Sequence, residues 1–105
     1  MLASLTACGG GDDDSTIQVF KSMGSLQCSG GGMTLAALQA QLTSANVQPR
    51  AAACGTDGVA TSAVCGSPDG KIGIFEIEAN EEKTAAAAGF KPLSTVPTAK
   101  VIPCT

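Results

Sequence analysis

Four cysteines spread over the last three-quarters of the chain set the strongest limit on its fold. They are Cys28, Cys54, Cys65 and Cys104. An even set of cysteines in a short chain is typical of a disulfide framework, for which three connectivities are possible. Metal binding and dithiol redox chemistry fit poorly, because the chain has no histidine and no C-x-x-C pair. The sequence therefore predicts two structural disulfides and neither a metal nor another cofactor.

The hydrophobic core that this composition can build is small. The chain has 105 residues, enough for one domain, and its only aromatic residues are Phe20, Phe75 and Phe90. Much of the 44% hydrophobic share is alanine, which buries little surface per residue. A core of this kind gives only marginal stability by itself. Each disulfide is expected to add roughly 2–4 kcal/mol, mainly by restricting the unfolded chain.

The fifth cysteine, Cys8, has a different setting. It follows Leu5-Thr6-Ala7 and precedes Gly9-Gly10-Gly11-Asp12-Asp13-Asp14-Ser15. A branched aliphatic residue, two small residues and a cysteine resemble the lipobox of bacterial lipoproteins. In that family the signal peptide is cleaved before the cysteine, and the thiol carries a diacylglycerol. The resemblance implies that residues 1–7 are a signal-peptide remnant, residues 8–15 a flexible tether lipidated at Cys8, and residues 16–105 a single small domain.

The lipobox resemblance also implies a location in the bacterial cell envelope. In Gram-negative lipoproteins an aspartate directly after the lipidated cysteine favours retention in the inner membrane, whereas this chain has Gly9 there. We therefore expect attachment to the outer membrane, facing the periplasm. Disulfides form and persist in such exported proteins, which agrees with the cysteine pattern.

The charged residues are few and dispersed. The formal net charge is -3, and the six Lys and Arg residues are scattered singly along the sequence. Nucleic-acid binding requires clustered basic residues interleaved with aromatic ones, so we exclude it. No second apolar stretch approaches the length of a membrane span. Contact with the membrane is therefore expected through the lipid on Cys8.

Local patterns predict six main elements and one additional short strand. The Ser67-Pro68-Asp69-Gly70 sequence predicts a turn. The predicted helices run from Leu35 to about Ala45, capped by Thr34, and from a cap at Asn80 to Gly89. The predicted strands cover Ile17–Lys21, Val47–Ala53 and Lys71–Ile77, the last of these being central. A final strand is predicted over Leu93–Val96 or Lys100–Ile102. The additional short strand is predicted over Thr61–Cys65.

The order strand, helix, strand, strand, helix, strand resembles the ferredoxin-like split βαβ arrangement. It implies an α+β fold, a small two-layer sandwich with both helices on one face of an antiparallel sheet. In that topology the first and third strands are adjacent, so Cys28 and Cys65 are implied to lie close together. We favour Cys28–Cys65 with Cys54–Cys104. Cys54–Cys65 with Cys28–Cys104 is a close alternative, because Cys54 and Cys65 flank a turn.

Few residues of the sequence indicate a catalytic or ligand-binding site. The absence of histidine removes the Ser-His-Asp and Cys-His systems. Glu76 and Glu78 are expected on the same strand face, about 7 Å apart. A glycosidase also needs a substrate cleft, so we expect a solvated strand end and no enzymatic activity. The glycine run Ser29–Gly32 lacks the pattern of a phosphate-binding loop and is expected to let Cys28 reach its partner.

Two functions fit these residues, and the sequence leaves both open. The first is a membrane-anchored binding or structural module whose partner is an envelope protein or a cell-wall component. It should present an apolar patch, such as an uncovered face of the sheet. The second is an anchored inhibitor of an envelope-directed hydrolase, which should present a protruding stapled loop over Gly55–Val64 or Gly66–Gly70.

Overall fold

The computed structural model describes residues 15–59 and 64–104, which form a small α+β fold. The predicted lipidation site Cys8 lies outside the described residues. The strands are β1 (Thr16–Ser22), β2 (Ala51–Thr56), β3 (Lys71–Glu78), β4 (Lys91–Pro92) and β5 (Lys100–Val101). The α-helices are α1 (Leu35–Ser44) and α2 (Glu82–Ala87), and short 3₁₀ turns cover Ala79–Glu81 and Leu93–Thr95.

The five strands form one antiparallel sheet in the order β4-β1-β3-β2-β5. β3 lies at the centre, with β1 on one side and β2 on the other. The predicted central position of this strand is confirmed. Its side chains explain the position, because Ile72 and Ile74 are buried on one face of the sheet, and Phe75 and Ile77 are buried on the other.

The α+β class is confirmed, whereas the ferredoxin-like arrangement is not, because the strand order differs and the sheet has five strands. The chain leaves β4 at one edge of the sheet and reaches the opposite edge, where β5 pairs with Gly55 and Thr56. Of the two segments proposed for the last strand, Lys100–Ile102 contains β5, whereas Leu93–Val96 begins with a 3₁₀ turn. The last strand therefore lies in the second of the two proposed segments, and the chain at Leu93 forms a turn that packs against β1.

The main core lies between the sheet and the two helices. In its centre the rings of Phe75 and Phe90 meet edge to face, with their centroids 5.7 Å apart. Both helices contribute to this core and therefore cover the same face of the sheet. The buried core residues are Val19, Leu38, Leu42, Val47, Phe75, Ile77, Ala85 and Phe90.

The apolar residues of β3 on the opposite face of the sheet are buried as well. Ile72 and Ile74 are each only 2% exposed on this face. Residues 93–99 run from β4 at one edge to β5 at the other, and their 3₁₀ turn packs against β1. At β2, a Cβ on Gly55 would lie 2.6 Å from Ile74 Cδ1 and 2.6 Å from the Lys100 carbonyl oxygen. The expectation of an uncovered apolar sheet face was therefore wrong.

Helix α1 begins and ends where the sequence predicts. The Thr34 hydroxyl accepts a hydrogen bond from the Ala37 amide at 3.0 Å, which satisfies one amide of the first turn. The helix ends next to Asn46, whose φ of 67° is left-handed, a conformation that asparagine tolerates better than most residues. Local side-chain chemistry therefore accounts for both ends of this helix.

The end of α2 was predicted correctly, whereas its start was not. Gly89 has a φ of 95°, and the Phe90 amide donates to the Ala85 carbonyl at 3.0 Å, as in a glycine-terminated helix. Asn80 does not cap the helix, because it lies within the 3₁₀ turn that follows β3 directly. Glu81 holds the cap position and makes no side-chain capping bond.

Strand β2 lies further along the chain than predicted. It covers Ala51–Thr56 rather than Val47–Ala53, so part of the turn expected after Cys54 is strand. Val47 instead lies just after α1, and its side chain is fully buried in the core. Pairing with β3 determines this placement. In the predicted strand Thr61–Cys65, residues 61–63 lie outside the described residues, and Cys65 is in a turn.

The structure contains the favoured disulfides, Cys28–Cys65 and Cys54–Cys104. Their Cα atoms are 5.1 Å and 5.0 Å apart. Cys54–Cys104 ties the end of the chain to β2. Cys28–Cys65 joins the loop after β1 to the loop before β3, because β1 and β3 are antiparallel neighbours and these two loops lie at the same end of the sheet.

Candidate functional site

Two loops joined by the Cys28–Cys65 disulfide form the most distinctive surface of the fold. We call residues 23–33 and 64–70 the stapled tip. Ser22 pairs with Ile72 at this end of the sheet, whereas Thr16 pairs with Glu78 at the other end. The stapled tip and the start of β1 therefore lie at opposite ends of the sheet.

Backbone hydrogen bonds hold the two loops of the stapled tip against each other. Leu26 and Gly30 exchange two bonds within the first loop, at 2.8 Å and 3.0 Å. Gln27 joins this loop to the second one. Its amide donates to the Ser67 carbonyl at 2.8 Å, and its carbonyl accepts from the Gly66 amide at 3.1 Å. The disulfide thus reinforces a structure that the backbone also defines.

A hydrogen bond between Ser25 and Asp69 joins the two loops at the base of the stapled tip. Ser25 is 7% exposed, and its hydroxyl donates to the Asp69 carboxylate at 2.7 Å. The same carboxylate oxygen accepts from the Lys71 amide at 3.0 Å. Partial burial alone would raise the pKa of the Asp69 carboxyl. These two hydrogen bonds and the positive charge of Lys71 outweigh burial and lower the pKa below its usual value.

Left-handed backbone conformations shape the first loop of the stapled tip. Gly30, Gly31 and Gly32 all have φ between 63° and 73°, and Cys28 itself has a φ of 73°. A Cβ on Gly32 would lie 2.6 Å from the Ser25 amide nitrogen, so the chain passes too close for a side chain. The glycine run therefore lets the loop fold back on itself, close to the role that the sequence predicts.

Exposed apolar side chains gather at this end of the molecule. Leu26 and Val64 belong to the stapled tip and are 38% and 67% exposed. Val59, in the connection between β2 and β3, is also exposed. The remaining large exposed hydrophobic residue of the described chain is Val101 in β5. Val101 pairs with Gly55, which pairs with Ile72, so it too lies towards the end of the sheet away from Thr16.

The two carboxylates considered for catalysis are engaged with other residues. Glu76 accepts a hydrogen bond from the Thr16 hydroxyl at 2.8 Å. Glu78 forms an ion pair with Arg50 at 3.1 Å on the surface. Both side chains lie at a strand end, as the sequence predicts, and they do not face each other across a cavity.

Sequence reasoning missed the role of Lys21. Its ammonium group donates to Gln41 Oε1 at 2.6 Å and to the Ala88 carbonyl at 3.1 Å, and it lies 5.3 Å from the centroid of the Phe90 ring. It therefore links β1, α1 and the end of α2. Alternation along β1 was the available signal, because it places Lys21 on the same face as Val19.

Sequence reasoning also missed a cleft along the outer edge of β1. The cleft has a volume of about 520 Å³ and lies towards the Thr16 end of the strand. We call it the edge cleft and define it by six of the residues that line it: Ile17, Gln18, Glu82, Pro92, Leu93 and Val96.

Neither metal sites nor membrane-spanning helices occur in the described part of the chain. No group of three His, Cys, Asp or Glu residues within residues 15–59 and 64–104 is placed to hold a metal ion. No helix in the same residues has the length and apolar character needed to cross a bilayer.

Comparisons with protein-family models, curated proteins and solved structures find no significant match to this chain.

Proposed function

We propose that this protein is a membrane-anchored, disulfide-stabilised lipoprotein of the bacterial cell envelope that acts as a binding or structural module. The lipid anchor on Cys8 and the location, the outer membrane facing the periplasm, rest on the lipobox resemblance. The partner in this proposal is an envelope protein or a cell-wall component. Neither nucleic acid nor an enzymatic reaction is part of it.

The observation that supports this proposal most directly is the placement of the stapled tip. The proposed tether joins the domain at Thr16, and the tip follows the other end of β1. Seven strand residues separate these ends by about 20 Å. A domain anchored through Cys8 can therefore present the tip away from the membrane, where a partner in the envelope can reach it.

The construction of the stapled tip suits binding. Two loops joined by a disulfide and by backbone hydrogen bonds keep one shape, so little conformational entropy is lost when a partner binds. Leu26 and Val64 supply exposed apolar surface on this rigid frame.

The same observation keeps the inhibitor function as a second candidate. Of the two loops considered, Gly66–Gly70 lies within the stapled tip next to Cys65, and it includes Asp69, which accepts the hydrogen bond from Ser25. A loop fixed in this way resists distortion by a hydrolase active site. The other loop, Gly55–Val64, begins within β2, and residues 60–63 of it lie outside the described residues.

The lipid anchor is tested by expressing the chain behind a complete lipoprotein signal peptide, with and without the Cys8→Ser substitution, in a bacterial host. The wild type is expected in the membrane fraction, with a Cys8 peptide whose mass includes a diacylglycerol. The variant is expected to lack both properties. A wild-type Cys8 peptide with an unmodified thiol would refute the lipoprotein proposal.

The binding role of the tip is tested with two matched variants, Val64→Ser and Val101→Ser. Both residues are valines with similar exposure, 67% and 64%, but Val64 lies in the tip and Val101 in β5. Each purified oxidised protein serves as bait for solubilised bacterial envelope. A partner retained by the wild type and Val101→Ser, and lost with Val64→Ser, supports the proposal.

The same capture separates the two candidate functions. If the retained partner is a hydrolase and the soluble domain lowers its activity, the inhibitor function is favoured. If the partner has no hydrolase activity, the binding-module function is favoured. If Val64→Ser retains the partner as well as the wild type and Val101→Ser do, the binding surface lies away from Val64.

A further inference from the structure

The outer edge of β1 is only partly covered by another strand. β4 pairs with Val19 and Phe20 and then gives way to the 3₁₀ turn at Leu93. Residues Thr16–Gln18 therefore have no strand beside them on this side within the part of the chain that the structure describes. The edge cleft lies along this uncovered stretch.

The register of the sheet determines which backbone groups face the cleft. The Ala79 amide donates to the Ser15 carbonyl, and the Met23 amide donates to the Lys71 carbonyl, both at 3.0 Å. These bonds assign the odd-numbered residues of β1 to the hydrogen-bonded pairs with β3. Because such pairs alternate along an antiparallel strand, Gln18 directs its N–H and C=O outward, away from β3.

The edge cleft is lined by residues from both faces of the sheet edge. Alternation along β1 places Ile17 on the helix face of the sheet and Gln18 on the opposite face. Glu82 at the start of α2 and Val96 of the C-terminal segment line the cleft together with this edge of β1.

We propose that the edge cleft binds an extended peptide segment of another protein by strand addition to β1. The added strand lies along the edge of β1 beyond the point where β4 ends, and it pairs with the outward backbone groups of Gln18. Its side chains alternate between the two faces of the sheet. The lining is mainly apolar, and Glu82 is its one charged residue among those described. The matching segment is therefore apolar with one lysine or arginine beside Glu82.

This site is separate from the stapled tip, which lies at the other end of the sheet. It depends neither on the lipid anchor nor on the partner of the tip. Failure of the tip experiment would therefore leave this proposal standing, and failure of this proposal would leave the function of the tip unaffected.

The probe for this site is a displayed library of random heptapeptides, selected against the full oxidised chain. Enriched peptides are expected to alternate apolar residues and to contain one basic residue. In an NMR titration with one synthetic selected peptide, the amide signal of Gln18 is expected to shift strongly, while those of Gln27 and Gly30 in the tip stay unchanged.

Two substitutions at one position test the backbone pairing itself. Gln18→Pro removes an outward N–H that the β3 ladder does not use, and proline is tolerated on an edge of this kind. It is expected to weaken peptide binding about tenfold, the effect of losing one backbone hydrogen bond. Gln18→Ala keeps the N–H and is expected to change the affinity less than about twofold. Glu82→Gln is expected to weaken binding and to reduce its dependence on salt.

A peptide with an N-methylated central residue tests the same pairing without any change in the protein. Its binding is expected to fall as with Gln18→Pro, so the test remains valid if that variant fails to fold. The proposal is overturned if no peptide is enriched, if the enriched peptides shift the tip signals instead, or if the methylated peptide binds equally well. It is also overturned if the Gln18 signal depends on protein concentration alone, which would assign this edge to a second copy of the chain.

Discussion

The two disulfides allow a quantitative test of how this small domain is stabilised. Cys28→Ala with Cys65→Ala removes the bridge of the tip, and Cys54→Ala with Cys104→Ala removes the bridge of the C-terminus. The sequence separations are 37 and 50 residues. The chain-entropy relation then gives losses in the free energy of unfolding of about 3.8 and about 4.1 kcal/mol. Loop length alone therefore predicts nearly equal effects.

The native structure predicts that the two variants differ. Cys28 and Cys65 are both exposed, so replacing them removes little packing. Cys54 is 7% exposed within β2, and alanine there loses buried surface worth about 1 kcal/mol. We therefore expect the variant of the C-terminal bridge to lose about 1 kcal/mol more than the variant of the tip bridge.

The assay is urea unfolding at 25 °C followed by circular dichroism. Both variants are expected to show a lower midpoint and a larger m-value, because an uncrosslinked unfolded chain exposes more surface. A loss below about 1 kcal/mol for the tip variant would refute the entropic reasoning. A larger loss for the tip variant than for the C-terminal variant would refute the assignment of the buried sulfur to Cys54.

Three further substitutions test the core and the base of the tip, each by urea unfolding. Gly73→Ala is expected to cost about 1–3 kcal/mol by overpacking, since its Cβ would lie 2.7 Å from Leu38 Cδ1; no measurable loss would contradict the close approach of α1 and β3. Phe90→Ala is expected to cost about 3–5 kcal/mol, because the ring is fully buried; a cost below about 1 kcal/mol would contradict that burial. Asp69 has a lowered pKa, so it stabilises the fold above the unfolded pKa of about 3.9, and this contribution is lost as pH falls through the folded pKa. The stability difference between wild type and Asp69→Asn is therefore expected to shrink on acidification below about pH 4, and a pH-independent difference would contradict this reasoning.

The arrangement of the domain separates two surfaces by the length of β1. The stapled tip lies after Ser22, and the edge cleft lies beside Ile17 and Gln18. A partner at the tip and a peptide in the cleft can therefore bind at the same time. In a lipid-anchored protein the cleft would lie close to the tether, and the tip would lie farther from the membrane.

Much of the local structure was predictable because it depends on neighbouring residues. Thr34 and Asn46 mark the ends of α1, and Gly89 marks the end of α2. Each effect arises within one helical turn, from a hydroxyl that accepts an amide bond or a residue that tolerates positive φ. The central position of β3 was equally visible, because apolar residues occupy both of its faces.

The candidate sites were predictable only in part. The cysteine pattern indicated a stapled loop, and the fold-level resemblance led to the choice of Cys28–Cys65 over the alternative pairing. The edge cleft had no sequence signal. Its lining combines residues of β1 with residues of α2 and of the segment 93–99, which are more than sixty positions away. Such a surface exists only after distant segments pack together.

The sequence by itself determined both ends of α1, the end of α2, the central position of β3 and the presence of four cysteines for two disulfides, since these depend on short-range geometry and composition. Only the tertiary structure decided where β2 begins, that the chain adds β4 and β5 at opposite edges, and that Ile72 and Ile74 are buried on the second face of the sheet. The physical reason is that strand pairing and burial are decided by partners distant in the sequence. A two-residue strand such as Lys100–Val101 has too little local preference to reveal its place.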